Sequence, residues 1–307
     1  MMRKLKYNKK YRKLVRVFNT HFPIQMAKLR YRKYFGKKLN LKNPQDLNEK
    51  ILWLSLFSDT SMWSICADKY AVREYVKNKG LERILVKLYG KWDSADDIDW
   101  AMLPDRFVLK TNNGCGTVKI VKDKSLLDIP KTTALLNQWL KKAIGLETTE
   151  THYTRIKPCI IAEELLEDYC HNNISTSLID YKIWCFNGVV DSIWTYSNRT
   201  KKGAEKAVFD KNWNYRPEVS IYNSSYKEQS VLTPKPDCLN EMIQIAETLS
   251  SPFPVVRCDL YVVNGLPYFG ELTFTSHGGT IDSITEEELL RMGQNIDLSG
   301  VKKVRNQ

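Results

Sequence analysis

Two acidic residues, Asp259 and Glu271, lie within apolar segments of the stretch 255–279, VVRCDLYVVNGLPYFGELTFTSHGG. The pattern predicts two β-strands joined at Asn264, and a carboxylate in a buried strand is costly unless it has a partner. If the loop contains the three residues 264–266, Asp259 lies directly opposite Glu271 on one face of the hairpin. A two-residue loop would place the two acids on opposite faces.

The same face is predicted to contain Arg257 and Thr273, each two residues from one of the acids. Two carboxylates side by side repel each other unless a cation lies between them, and oxygen ligands of this kind suit Mg2+. The hairpin is therefore predicted to hold a magnesium ion between Asp259 and Glu271.

The composition limits the possible partners and the compartment. With 307 residues the chain can bury a sizeable core and form two lobes. Its net charge of +12 favours anionic partners, such as nucleotides, nucleic acid, acidic glycans or an anionic membrane face, without choosing among them. The seven scattered cysteines lack a CxxC pair, which favours reduced thiols over disulfides or zinc. We therefore expect a cytoplasmic protein without a signal peptide or a transmembrane helix.

The N-terminus, MMRKLKYNKKYRKLVRVF, is strongly basic and contains interleaved apolar residues. Such a segment can contact the inner, anionic face of a membrane, or can form an ordinary helix with a solvated face. The solvated helix is the simpler interpretation. The interleaved residues are Tyr7, Tyr11, Leu14, Val15 and Phe18.

The elements that must position the hairpin follow from apolar periodicity and from turn residues. Residues 1–100 are predicted to be mainly helical, and residues 101–307 to alternate strands with helices. The predicted helices are 43–57, 67–79 with Gly80 as its cap, 126–143, 239–249 and 285–292. The predicted strands are 81–89, 106–110, 118–121, 158–166, 180–188 and 189–196, with a surface turn from 90 and a loop-rich region at 198–236.

Two of these segments have residue types that suit an anionic ligand. The loop TNNGCGT at 111–117 follows a strand that ends in Lys110, and the bare backbone N–H groups of such a loop can cradle phosphate. The loop lacks the Gly-Lys-Ser/Thr ending of a Walker sequence, so the pattern alone is weak. Lys182 lies in a strand of large apolar residues, where it needs an anion.

Together, and in this order, the motifs resemble ATP-grasp enzymes, and most of all the TupA-like ATP-grasp family associated with teichuronopeptide and polysaccharide biosynthesis. The resemblance covers about residues 40–285. It implies an α+β ATP-grasp fold, with two α+β lobes that clasp ATP and a helical N-terminal region before them. The implied divisions are 1–40, 41–100, 101–165 for the small lobe and 166–307 for the large lobe. The motifs are DK at 68–69 with Arg73, FVLK at 107–110, IAEEL at 161–165, DYK at 180–182, FNG at 186–188, RCDLY at 257–261 and FGELTF at 269–274.

The resemblance also implies a role for individual residues. Lys69 and Lys110 would contact the ATP phosphates, and Arg257 and Lys182 would neutralise charge during catalysis, with Lys182 also near the nucleotide. Thr273 stands where related enzymes often have Asn, and would be the third metal ligand after Asp259 and Glu271. The loop over the phosphates would be Asn113, Gly114, Cys115, Gly116 and Thr117; the adenine hinge would be Glu163, Glu164 and Leu166; substrate contacts would be Arg73, His277, Gly278 and Gly279.

The function implied by the resemblance is an ATP- and Mg2+-dependent carboxylate–amine ligase that joins an amino acid to a uronic acid of a surface polysaccharide. One alternative is a kinase of the same fold that phosphorylates a sugar hydroxyl and needs a general base. Another is a non-catalytic basic module that binds nucleic acid or membrane. No nucleic-acid-binding motif is evident, so we expect no nucleic acid partner.

Overall fold

A computed structural model describes residues 9–142, 144–148, 150–171 and 173–304 of the chain. Its helices are α1 (Lys9–His21), α2 (Pro23–Phe35), α3 (Leu47–Phe57), α4 (Ser61–Ala67), α5 (Val72–Asn78), α6 (Ile129–Leu140), α7 (Thr151–Thr154), α8 (Leu239–Ser250) and α9 (Glu286–Gln294). Its strands are β1 (Leu88–Trp92), β2 (Phe107–Thr111), β3 (Val118–Val121), β4 (Ile160–Glu164), β5 (Asp180–Phe186), β6 (Val189–Thr200), β7 (Gly203–Asp210), β8 (Tyr226–Glu228), β9 (Val255–Val263) and β10 (Leu266–Thr273).

The strands form two separate sheets. The small sheet has the order β1-β4-β2-β3, and its pairs are antiparallel. Alternate residues of β2, Phe107 and Leu109, point into a core that also contains Ile160, Ala162 and Leu136 of α6. The side chain of Lys110, the residue after Leu109, points to the opposite face of the sheet.

The large sheet has the order β10-β9-β5-β6-β7-β8, in which only the β7 and β8 pair is parallel. Helix α8 packs against it through residues spaced for one helical face, among them Leu239, Met242, Ile245 and Leu249. This burial makes the central strands β5 and β9 rigid supports for the acids of the hairpin.

The first two helices pack against the connector that precedes α7. Arg16 donates a hydrogen bond to the Glu147 carboxylate at 2.7 Å, and Asn19 donates to the Leu146 carbonyl at 2.9 Å. Leu14 and Phe18 lie on the exposed side of α1, so one face of the basic segment is packed and the other is solvated. Residues 1–8 with Tyr7, and the side chain of Tyr11, lie outside the described part. Within the described ranges, no helix has both the length and the apolar composition needed to cross a bilayer.

One predicted strand and one predicted loop region differ from the structure. The predicted strand 81–89 begins with a short 3-10 helix, Glu82–Ile84, and the actual strand runs through the predicted turn to Trp92. Here Gly90 leaves space for the Trp92 ring, with which a Cβ would collide. The predicted loop region 198–236 contains β7 and β8. The buried Lys206 interrupts the apolar alternation of β7 and hides it from a pattern-based prediction.

The predicted helix 67–79 is also divided. Helix α4 ends at Ala67, and the Asp68 carboxylate accepts the N–H groups of Tyr70 and Ala71 before α5 begins at Val72. Asp side chains bind nearby backbone donors in this way and compete with helix formation. The turn places Lys69 outside both helices, facing the large sheet.

Candidate nucleotide and metal site

The turn between β9 and β10 contains two residues, not three. Asn264 and Gly265 both have left-handed backbone, with φ of 51° and 81°, which is the form that Asn-Gly favours in two-residue hairpins. Leu266 therefore pairs with Val263. The predicted three-residue loop is wrong.

Asp259 nevertheless lies opposite Glu271, because a β-bulge at Gly270 changes the pairing along β10. Phe269 pairs with Leu260, and the next paired residue of β10 is Glu271, opposite Asp259. Gly270 is the extra residue that moves Glu271 onto the face of Asp259. A Cβ at Gly270 would lie 2.9 Å from the Asp259 carbonyl oxygen, so this close approach favours glycine.

Asp259 is held by two cations from its own sheet. The Arg257 guanidinium donates to both carboxylate oxygens, with 2.6 Å from Nε to Oδ1 and 2.7 Å from Nη2 to Oδ2. Lys182 of the neighbouring strand β5 donates to Oδ2 at 2.5 Å. Burial alone would lower the pKa of Arg257, but the adjacent Asp259 carboxylate outweighs burial and raises it. This pairing therefore explains the position of Asp259, which is buried, and of Lys182, which is half-buried, within apolar strands.

Glu271 receives its cation from the helical region. Lys69 Nζ lies 3.2 Å from Oε2, and Arg257 Nη2 lies 3.9 Å from Oε1. Burial would raise the pKa of Glu271, but the charges of Lys69, Lys182 and Arg257 prevail and lower it to about 2. Glu271 is therefore ionised at neutral pH. Thr273, two residues further along β10, accepts a hydrogen bond from Arg257 at 3.1 Å.

A narrow cleft of about 20 Å³ lies between the two sheets, beside this cluster. Glu163 of β4 accepts a hydrogen bond from Lys110 at 2.7 Å and from Arg73 at 3.3 Å. Arg73, predicted to contact substrate, therefore lies in the cleft with Lys110 and Glu163. The lining residues are Lys69, Arg73, Leu85, Val86, Lys110, Glu163, Phe269 and Gly270.

Lys69 also joins the glycine loop to the large sheet. Its Nζ donates to the Gly114 carbonyl at 2.8 Å while it contacts Glu271. Within the loop, Cys115 and Gly116 are exposed, whereas Asn113, Gly114 and Thr117 are buried. Thr117 is fixed by a 2.6 Å hydrogen bond between its hydroxyl and that of Thr111. The exposed tip is therefore the part that can cover a ligand.

The two predicted hinge acids point in different directions. Glu163 is buried and faces the cleft, whereas Glu164 is exposed and its backbone N–H donates to the Lys87 carbonyl at 2.9 Å. Leu166 follows the end of β4 and is half-buried. Of the two acids, only Glu163 lines the cleft.

The predicted substrate residues 277–279 lie on the other side of the cluster. His277 has left-handed backbone, with φ of 51°, and Gly278 and Gly279 also have positive φ. The preceding Ser276 accepts a hydrogen bond from Arg257 Nη1 at 2.5 Å. Arg257 thus contacts both the acid pair and the start of this turn.

Several site residues were missed by the sequence analysis. Leu85, Val86 and Phe269 line the cleft, and Ser276 binds Arg257. The apolar run 81–89 and the motif FGELTF contain the three apolar residues, but only the fold brings them together. An isolated glycine inside a strand is a known signal of a bulge, so Gly270 was detectable.

The donors around Asp259 and Glu271 fit a magnesium ion. Across the described ranges, no group of three or more His, Cys, Asp or Glu residues could hold a metal. Mg2+ does not need such a group, since it commonly uses one or two protein carboxylates together with phosphate oxygens and water. Two facing carboxylates with the Thr273 hydroxyl beside them meet that requirement.

Residues 49–297 match the model of the TupA-like ATPgrasp family. No curated protein matches the chain. Structural similarity extends to D-alanine–D-alanine ligase from Bacillus anthracis (16% identity, TM-score 0.46, 78% of this chain and 66% of that chain) and to its complex with ATP (14%, 0.48, 78% and 64%). It also extends to L-amino acid ligase from Bacillus licheniformis (13%, 0.44, 71% and 43%).

The chain spans slightly less than two thirds of the Bacillus anthracis ligase and less than half of the Bacillus licheniformis ligase. The family match covers most of the chain and includes the acid pair, Lys69, Lys110 and Glu163. The chain therefore belongs to the TupA-like ATPgrasp family and has the ATP-grasp fold.

Proposed function

We propose that this protein is an ATP- and Mg2+-dependent ligase that joins the carboxylate of a uronic acid sugar to the amine of an amino acid. The observation that carries the proposal is the facing pair Asp259 and Glu271, surrounded by Lys69, Lys182 and Arg257. Such a combination of acids and cations suits a metal, a polyphosphate and a substrate carboxylate together. We place the reaction in the cytoplasm, in the biosynthesis of a surface polysaccharide.

In the proposed complex, the lysines of the cleft exchange carboxylate partners for phosphate oxygens. Lys110 leaves Glu163, and Lys69 leaves Glu271, when the β- and γ-phosphates enter. The tip at Cys115 and Gly116 closes over the phosphates with its backbone N–H groups. Glu163 then faces the nucleotide.

Asp259, Glu271 and Thr273 would hold the magnesium ion. When bound, the ion supplies positive charge to the phosphate oxygens. The release of Lys69 from Glu271 leaves that carboxylate available as a ligand. Arg257 keeps Asp259 oriented through its two hydrogen bonds.

The reaction takes place in two steps. An oxygen of the sugar carboxylate attacks the γ-phosphorus, the bond to the bridging oxygen breaks, and ADP leaves. The amine nitrogen then attacks the carbonyl carbon of the acylphosphate, phosphate leaves, and the nitrogen loses a proton. Lys182 and Arg257 stabilise the negative charge that develops at both steps, by interactions worth about 3–4 kcal/mol where they are best aligned.

The test is a matrix of uronic acids and amino acids incubated with the purified protein and Mg-ATP. We expect ADP, phosphate and an amide of the combined mass in at least one combination. A phosphosugar with ADP and without free phosphate would establish the kinase alternative. A protein that Mg-ATP does not stabilise, but that binds DNA or RNA in a salt-sensitive way, would instead be the non-catalytic basic module.

We also propose that α1 contacts anionic membranes. Leu14, Phe18 and Phe22 are exposed to between 43% and 53% and lie next to exposed basic residues, including Lys13. An amphipathic basic helix binds anionic lipid because its apolar residues enter the membrane surface and its basic residues attract the lipid head groups. The protein should sediment with vesicles containing phosphatidylserine and not with phosphatidylcholine vesicles. Binding that persists in Leu14→Glu/Phe18→Glu would contradict the proposal.

A further inference from the structure

A second cavity, of about 390 Å³, opens beyond the acid pair. Three distant parts of the chain build it: helix α2 with Tyr34, the segment around β8, and the turn after β10. The residues that matter for its chemistry are Tyr34, Asn223, Ser225, Tyr226, His277 and Asp282. Its volume lies in the range of small-molecule sites.

One wall of this cavity consists of two stacked rings. The centroids of Tyr226 and His277 are 5.9 Å apart, with planes tilted by 20°. Asn223 fixes the position of Tyr226, because its Oδ1 accepts the Tyr226 backbone N–H at 3.0 Å. The turn at His277 is fixed by Arg30, which donates to the Gly278 carbonyl. The positions of both rings are therefore set before any ligand arrives.

The rest of the lining is polar and, among the residues that the structure describes, contains no lysine or arginine. Hydroxyl, amide and carboxylate groups, such as Asn223 and Asp282, can exchange hydrogen bonds with several hydroxyls at once. An uncharged, hydroxyl-rich ring fits these groups better than a phosphate does.

Two chains of contacts connect the cavity to the reacting end of the site. Tyr226 packs edge-on against Tyr196 with centroids 5.5 Å apart, and Lys182 lies over the Tyr196 ring at 5.7 Å. On the other side, His277 follows Ser276, which Arg257 contacts. The rings of Tyr226 and Tyr196 therefore separate the cavity from Lys182, whereas Arg257 lies beside the turn that contains His277.

We propose that this cavity binds the pyranose ring of the sugar substrate, with its C–H face against the ring of Tyr226, which stacks on His277. The ring hydroxyls bind Asn223 and Asp282, and the sugar carboxylate is directed past the His277 turn towards Arg257. This inference rests on the proposed ligase function, for which it identifies the sugar subsite. It also gives the N-terminal region a role, because Tyr34 and Arg30 belong to α2.

The test measures the equilibrium binding of glucuronic and galacturonic acid to the full chain. Tyr226→Ala should raise the dissociation constant about tenfold, because the stacking surface is lost. Tyr226→Phe keeps the ring and should stay within about threefold of the unmodified protein. Lys227→Ala, on the neighbouring exposed residue, is the control. Stabilisation by Mg-ATP should be the same in all four proteins, which also shows that each variant is folded.

The outcomes separate this inference from the proposed function. If Tyr226→Ala binds the uronic acids as well as the unmodified protein does, the subsite assignment is wrong. It is also wrong if Mg-ATP stabilises the protein but neither acid binds. If binding is lost in Tyr226→Ala but no amide forms with any amine and Mg-ATP, the sugar subsite stands and the ligase function fails.

Discussion

The cleft between the sheets and the cavity at Tyr226 differ in how their polar groups are arranged. In the cleft, each charged group already has a partner of opposite charge: Lys110 and Arg73 bind Glu163, and Lys69 binds Glu271. In the cavity, the polar groups line an open space of about 390 Å³. The cleft measures about 20 Å³, roughly the space of one water molecule.

This difference indicates two modes of binding. In the proposed function, a nucleotide enters the cleft only if the sheets move apart and the ion pairs are exchanged for contacts with phosphate. The proposed sugar enters the cavity without such a change. Under these two proposals, ligand binding in the cleft is coupled to a change of shape, whereas the cavity is preorganised.

The largest effect is expected from Glu271→Gln. The variant removes a metal ligand charge at nearly constant volume, so turnover with Mg-ATP should fall by at least about 100-fold. Sugar binding in the cavity should change little. The measurement is the rate of phosphate release, with the exposed Glu287→Gln as control. Near-normal turnover would show that the metal assignment is wrong.

A smaller effect is expected from Lys110→Gln, which tests the exchange of partners in the cleft. Loss of a charged hydrogen bond to phosphate costs about 1.5–3 kcal/mol, which corresponds to a 10- to 100-fold weaker affinity for Mg-ATP. Calorimetric titration measures the change. Lys119→Gln, on the adjacent strand β3, is the matched control. An equal loss of Mg-ATP affinity in both variants would show that Lys110 acts through the overall positive charge of the protein and not through a contact in the cleft.

The comparison also shows which features could be predicted from sequence. The acid pair and the motifs around Lys69, Lys110 and Glu163 are local patterns, and the family match covers them. The three-residue turn was wrong because it assumed regular pairing, in which a two-residue loop would separate the acids. In the structure Asn264-Gly265 forms the two-residue loop, and the bulge at Gly270, five residues later, restores the pairing. A local pattern does not show that the two-residue turn and the bulge at Gly270 together bring Asp259 opposite Glu271.

Apart from His277, which the resemblance implied as a substrate contact, the residues of the cavity could not be predicted, for a different reason. They come from positions 34, 223–226 and 277–282, and only the tertiary structure brings them together. The segment 198–236, predicted to be loop-rich, contains β7, in which Lys206 interrupts the apolar alternation. In the fold, Lys206 is fully buried and donates a hydrogen bond to the Ser283 carbonyl at 2.5 Å. Burial lowers its pKa to about 8.

A moderate effect on stability is expected from Gly270→Ala. The added Cβ would lie 2.9 Å from a backbone oxygen, and such overpacking typically costs about 1–3 kcal/mol. Urea unfolding measures this loss. Gly300→Ala is the control, since a Cβ there meets no atom within 4 Å. If the two variants are equally stable, the bulge tolerates a side chain, and the close approach does not explain the glycine.

The smallest effect concerns acid stability and tests the charge pairing of the cleft in the absence of ligand. The folded protein holds the pKa of Glu271 at about 2, below its ordinary value of 4.5. A lowered carboxyl pKa stabilises the fold above pH 4.5, and this contribution disappears as the pH falls from 4.5 to 2. Between pH 4.5 and pH 2, the free energy of unfolding should therefore change less with pH for Glu271→Gln than for Glu287→Gln. Equal slopes would mean that Lys69, Lys182 and Arg257 together do not stabilise the ionised form of Glu271 in solution.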